Sequence, residues 1–175
     1  MTAQMPDLFV WRGHEYALVG IDGGPLFDPA DHGLEVRMIS TACWRGYICR
    51  YAVDGDELVI QGLMVGMDEP PTELFGAARD SGGWYQPVRV PVPFTGGLLV
   101  GDGFVRELYV HMGFHPAWKY RHVHELLFES GRLTAHHDRS AAMAEIRRSE
   151  PQLRPDSHDA DETRRWIERT FDRSY

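Results

Sequence analysis

Residues 47–65, YICRYAVDGDELVIQGLMV, decide the fold class. Two runs rich in β-branched and aromatic side chains, Tyr47–Val53 and Leu58–Val65, flank Asp54-Gly55-Asp56. Asp-Gly supplies the positive φ angles of a tight hairpin turn, so the runs read as antiparallel neighbours. Along the second run Leu58, Ile60 and Gly62 point one way, and Val59, Gln61 and Leu63 the other. Apolar side chains on both faces predict a strand covered on both sides.

The same pattern recurs outward from this hairpin. On the N-terminal side, Leu8–Trp11 and Tyr16–Val19 surround Arg12-Gly13-His14 as a second hairpin, Ile21–Gly33 reads as a loop, and Leu34–Ala42 reads as a strand. On the C-terminal side, Asp68–Val92 is irregular and punctuated by Pro70, Pro71, Gly82, Gly83, Pro87 and Pro91. Long aperiodic segments of this kind often carry function. Phe94–Val105 reads as β, and Arg106–Met112 fits strand or helix equally well. Tyr120–Phe128 and Arg132–His137 pair across Ser130-Gly131.

Beyond His137 the periodicity changes. Ser140 suits the cap of a helix running to Ser149, with Met143 and Ile146 on one face, and Glu150–His158 reads as a linker. Asp159 to Arg173 reads as a second helix, with Trp166, Ile167, Thr170 and Phe171 as its apolar stripe. The expected fold is therefore α+β: mainly antiparallel β-sheet built of hairpins in a meander, followed by two C-terminal helices. A single domain over residues 1–175 is expected, β-rich to about 137 and helical from about 138.

The composition, 43% hydrophobic and 25% charged, is that of a chain able to build a core. The net charge is −8, and to His137 there are 17 acidic against 10 basic residues, so the negative field belongs to the β-rich part. Such a chain has no overall attraction for nucleic acid or anionic lipid, and its natural complement is a basic partner. The longest apolar stretch, Leu58–Met67, is too short to span a membrane. Nothing at Met1–Trp11 reads as a signal peptide, and Cys43 and Cys49 are too few for a disulfide scaffold. A cytoplasmic protein with free thiols is expected. There is one lysine, Lys119, against 17 arginines.

No dinucleotide fingerprint, P-loop, Cys-x-x-Cys, His-Glu-x-x-His or Gly-x-Ser-x-Gly is present. Two constellations carry chemistry instead. Six of nine histidines fall between His111 and His137. With Ser130-Gly131 as the turn, Phe128 faces Leu133, Leu126 faces Ala135 and His124 faces His137. By the period of two, His122, His124 and His137 then share a face, a set suited to Zn²⁺ with a fourth position open for water. The second constellation is aromatic and polar: Trp84, Tyr85 and Gln86 in the irregular segment, Phe94 beyond it, and Trp44 with Arg45 at a turn. Aromatic residues beside arginine are typical of recognition surfaces.

The leading expectation is a non-catalytic protein-binding module that uses an acidic, aromatic-containing surface against another, basic protein. A bacterial inhibitor of the immunity or antitoxin type fits that size and charge. The alternatives are a small metal-dependent hydrolase built on the 120–137 histidines, and a small-molecule binder lined by Trp84, Tyr85 and Phe94.

Overall fold

The computed structural model describes residues 2–111 and 113–149. Eleven strands run in chain order: β1 (Leu8–Trp11), β2 (His14–Asp22), β3 (Tyr47–Asp54), β4 (Glu57–Val65), β5 (Glu73–Leu74), β6 (Ala77–Ala78), β7 (Trp84–Tyr85), β8 (Val90–Pro91), β9 (Gly96–Phe104), β10 (Tyr120–Glu129) and β11 (Arg132–Asp138). Nine of them form one sheet in the order β11-β10-β9-β2-β1-β3-β4-β7, with β8 also on β4. Every pairing is antiparallel except β1 with β3.

Three hairpins organise the sheet, each closed by two residues: Arg12-Gly13, Gly55-Asp56 and Ser130-Gly131. These are the turns that the sequence marks.

The sheet curls until its ends meet. Arg132 at the start of β11 lies opposite Glu57 at the start of β4. The Leu58 N–H donates to the Gly131 carbonyl at 2.7 Å, and the Leu133 N–H to the Asp56 carbonyl at 2.7 Å. Closure removes most of the unpaired edge that an open sheet of this size would expose. It also creates two faces. Phe9, Trp11, Leu18, Cys49, Tyr51, Leu58, Ile60, Leu63, Leu98, Val100, Leu126 and Phe128 fill the inside as one buried cluster. On the outside, Val19, Leu99, Ala117, Tyr120 and Val123 form a second, smaller cluster, and Met143 packs on it.

Met143 belongs to α1 (Ser140–Ser149), the single α-helix among the described residues. The expectation of an α+β fold with two C-terminal helices is thus corrected: the described chain is mostly β-sheet with one helix at its C-terminal end. The expected linker and second helix, Glu150 to Arg173, lie outside the described residues. Helix α1 starts where expected, but by a different device. The Asp138 carboxylate accepts the Ser140 N–H at 2.8 Å, while the Ser140 hydroxyl accepts the Val123 N–H at 3.1 Å and ties the helix to β10. Arg147 then donates to the carbonyls of Trp118 and Tyr120, at 2.6 and 2.8 Å. No described helix is long and apolar enough to cross a membrane.

Leu34–Ala42 is not a strand. Both edges of β3 are already occupied, by β1 and β4, so the segment has no open ladder to join. It lies over the strand ends as a loop, with the Arg37 N–H on the Gly66 carbonyl and the Ile39 N–H on the Cys43 carbonyl. Arg106–Met112 opens with a 3₁₀ turn, Arg106–Leu108.

Candidate functional site

The histidine hairpin keeps its expected register only as far as Phe128 opposite Leu133. There Thr134 enters β11 as an extra residue, its hydroxyl donating to the Leu127 carbonyl at 3.1 Å. Beyond this bulge every pairing moves by one: Leu126 faces His136, Glu125 faces His137 and His124 faces Asp138. A one-residue shift exchanges the faces of a strand. His137 therefore sits on the side of Glu125 and Arg139, away from His122 and His124, and the set His122, His124, His137 does not converge. Among the described residues no group of three or more His, Cys, Asp or Glu side chains is placed to hold a metal ion.

What gathers at this end of the sheet is a different set. His136 and His124 flank the Trp11 indole at centroid distances of 5.1 and 5.2 Å, and Tyr16 meets His124 edge-on at 5.7 Å. The Arg12 guanidinium lies 4.4 Å from the Trp11 ring, and His14 stands edge-on to Tyr16 at 4.6 Å. His14 Nε2 bonds the Asp102 carboxylate at 3.1 Å. Asp102 is held below the usual carboxylate range by the Gly103 N–H, with the His14 hydrogen bond adding to it. Burial pushes the His124 imidazole down and the Tyr16 phenol up. The rings pack against one another and close this end of the core. His14 and Asp102 are about half exposed, at 55% and 46%, where such a pair is worth about 0–1 kcal/mol.

The aromatic constellation also divides. Tyr85 and Phe94 are buried in the inner core, and the Tyr85 hydroxyl donates to the Pro71 carbonyl at 2.5 Å. Trp84 is half-buried under the Arg50 guanidinium, 4.8 Å from its ring, and Gln86 accepts from Arg50 at 2.5 Å. Gln86 helps to line a groove of about 450 Å³ on the outer side of β4, with Arg50, Asp54, Gln61 and Arg89. The arginines there are already engaged: Arg50 with Glu15, and Arg89 with Asp54 and Glu57.

Trp44 and Arg45 lie on another surface. Arg45 makes two bonds to Asp7, at 2.9 and 2.7 Å, and a third to the Tyr47 carbonyl at 2.8 Å. Asp7 in turn accepts the Cys49 N–H at 2.7 Å. This nearly buried ion pair is an anchor: it fastens the loop before β3 to the sheet. Trp44, its neighbour, is 54% exposed. Met5, Met38 and Ile39 are also exposed, and the backbone brings all four together. The Met5 N–H donates to the Ala42 carbonyl, Gln4 accepts the Trp44 N–H and donates to the Thr41 carbonyl, and the Gln4 N–H donates to the Gly113 carbonyl. Tyr109, also exposed, accepts the Ala3 N–H at 3.4 Å from the adjoining loop. Five of the six exposed large apolar side chains among the described residues thus lie on the N-terminal segment or on the two loops that it bonds, and only Ile146 lies elsewhere. Exposed Glu35, Asp68 and Glu69 flank this surface, with Arg37 bonded to Asp68 at 3.0 Å.

Sequence reasoning singled out Trp44 and Arg45 but missed Met5, Met38, Ile39 and Tyr109. Reading Leu34–Ala42 as a strand assigned Met38 and Ile39 to a sheet. No family model, curated protein or solved structure matches this chain.

Proposed function

We propose that the protein is a protein-binding module whose docking surface is the apolar patch of Met5, Met38, Ile39, Trp44 and Tyr109. The observation that carries this reading is the concentration of those side chains on loops fastened by the Asp7–Arg45 pair and the Gln4 hydrogen bonds. Contiguous exposed apolar surface with a polar rim is the usual mark of a protein interface. Anchored loops present it at little ordering cost. Trp is the side chain most often found at the energetic centre of such patches.

The flanking acids and the negative β-rich body favour a partner with an apolar anchor set among Lys and Arg. Inhibition of a basic bacterial protein, in the manner of an immunity or antitoxin protein, is the form of this function that size and charge suit best.

The test is capture from extract of the native cells with the full chain immobilised, using wild type, Trp44→Ser/Ile39→Ser and His136→Ala. A basic protein retained by wild type and His136→Ala, and bound at least about tenfold more weakly by the double variant, is the expected result. Equal capture by all three would overturn the proposal.

A further inference from the structure

At the buried Trp11 indole of β1, side chains from β2, β10 and β11 meet. The His124 ring of β10 lies 5.2 Å from the indole, and the His136 ring of β11 lies 5.1 Å from it. Tyr16 of β2 stands 6.4 Å from the indole and 5.7 Å from His124. Strand β1 pairs through its backbone with β2 and β3, not with β10 or β11. At this end β1 therefore meets the β10–β11 hairpin side chain to side chain, through these rings. The turn beside them is strained. Arg12 holds φ +52°, a left-handed backbone that disfavours side chains, and its guanidinium lies 4.4 Å from the indole. Strain of this kind persists only where the surroundings hold it.

The groups around the rings are titratable or charged. Facing His124 are Asp138 and His136 from β11, His122 from its own strand and Arg12 from the turn. Facing Tyr16 are His14 and Arg12, and Asp102 from β9. His14 bonds Asp102 at 3.1 Å, and the Asp138 carboxylate accepts the Ser140 N–H at 2.8 Å. Glu15 points away, to Arg50 at 2.9 Å. With the imidazoles neutral, Arg12 is the one cation of this set, and the rings pack on the indole uncharged. With them protonated, Arg12, His14, His122, His124 and His136 face only Asp102 and Asp138.

We propose that this end of the sheet is an acid-released clasp: protonation of the imidazoles around Trp11 parts the indole from the β10–β11 hairpin and frees the Arg12-Gly13 turn, while the rest of the sheet stays closed. Burial already pushes the His124 imidazole down, so the closed form takes its proton less readily than the open form. Closure therefore keeps its full strength above 6.5, the ordinary histidine value, and weakens as the pH falls below it. The seam between β4 and β11 has a reason to survive. It is made at the other end of β11, by the backbone bonds of Leu58 with Gly131 and of Leu133 with Asp56, and no imidazole takes part in them.

Amide hydrogen exchange of the full chain at pH 7.5 and pH 5 tests the clasp, expressed as protection factors so that the intrinsic pH dependence of exchange cancels. In wild type, the amides of residues 11–16 and 134–138 lose protection about tenfold at pH 5, the effect of one pKa unit, and those of residues 58–64 do not. In His124→Gln/His136→Gln, uncharged at both pH values at these positions, most of that loss disappears. A uniform loss across the three segments, no loss in wild type, or an undiminished loss in the double variant would each overturn the proposal. Wild type alone gives a second readout, which serves if the double variant does not fold: the imidazole ¹H–¹³C signals of His124 and His136. At least one of them titrates with the midpoint at which residues 11–16 lose protection. Midpoints that both differ from it would equally overturn the proposal.

Discussion

In the unfolded chain the Lys119 amine is solvated and titrates in the ordinary lysine range; in the fold it is buried among rings and titrates near 8. The consequence for stability has a definite sign. Below pH 8 the amine is charged in both states, and the folded state bears the full cost of burying it. Between pH 8 and the unfolded value of 10.5 the unfolded chain holds more protons, so stability rises with pH. Above that range both forms are neutral and the cost is gone. The advantage of Lys119→Met over wild type is expected to be largest below pH 8, at up to about 3 kcal/mol, and to vanish above about pH 10.5. Urea denaturation of both proteins across that range measures it, and a difference that does not change with pH would refute the burial argument. No periodicity in the sequence signals this group, since burial of Lys119 depends on how the chain from Val105 to Trp118 crosses the outside of the sheet.

At the scale of elements, the sheet closes through a backbone approach that only glycine permits. Gly131 has φ +81°, and a Cβ there would stand 2.6 Å from the Val92 carbonyl oxygen. Gly55, with φ +68° in the β3–β4 turn, has nothing within 4 Å of the same position. Gly55→Ala is expected to cost about 1–2 kcal/mol, for left-handed backbone alone. Gly131→Ala should cost more, because the segment before β9 must also retreat from the β11 turn. Comparison of urea midpoints decides: equal losses would mean that the closure contributes nothing.

The turns themselves were readable, because Asp-Gly, Arg-Gly and Ser-Gly lie between runs of strand-forming residues. The Thr134 bulge was not. A bulge depends on how two strands coil together, and nothing in residues 120–138 marks the extra residue. For that reason the histidine partners shifted, and His136 replaced His137.

Across the whole molecule, the two cysteines report on cooperativity. Cys49 lies in the middle of the closed sheet with no exposure, and Cys43, in the loop before β3, is 2% exposed. Burial, with the Asp7 charge, pushes the Cys49 thiol well above its ordinary range, so two effects protect it from alkylation. In a Cys43→Ala protein, labelling of Cys49 should follow global unfolding, with the same steep dependence on urea as the spectroscopic transition. A shallow dependence at low urea would instead reveal local opening of the β3 region.

The sequence by itself determined most of the strand runs, the three tight turns and the acidic balance. Each follows from local periodicity, turn chemistry or charge, which need no distant partner. Tertiary structure alone decided that the sheet closes between β4 and β11, that β1 runs parallel to β3, and that Leu34–Ala42 finds no free strand edge. It also decided that Tyr85 and Phe94 are core, while Met5, Met38, Ile39 and Tyr109 are exposed. These depend on which segments meet across long sequence separations, and a side chain is buried or exposed only by what the rest of the chain places against it.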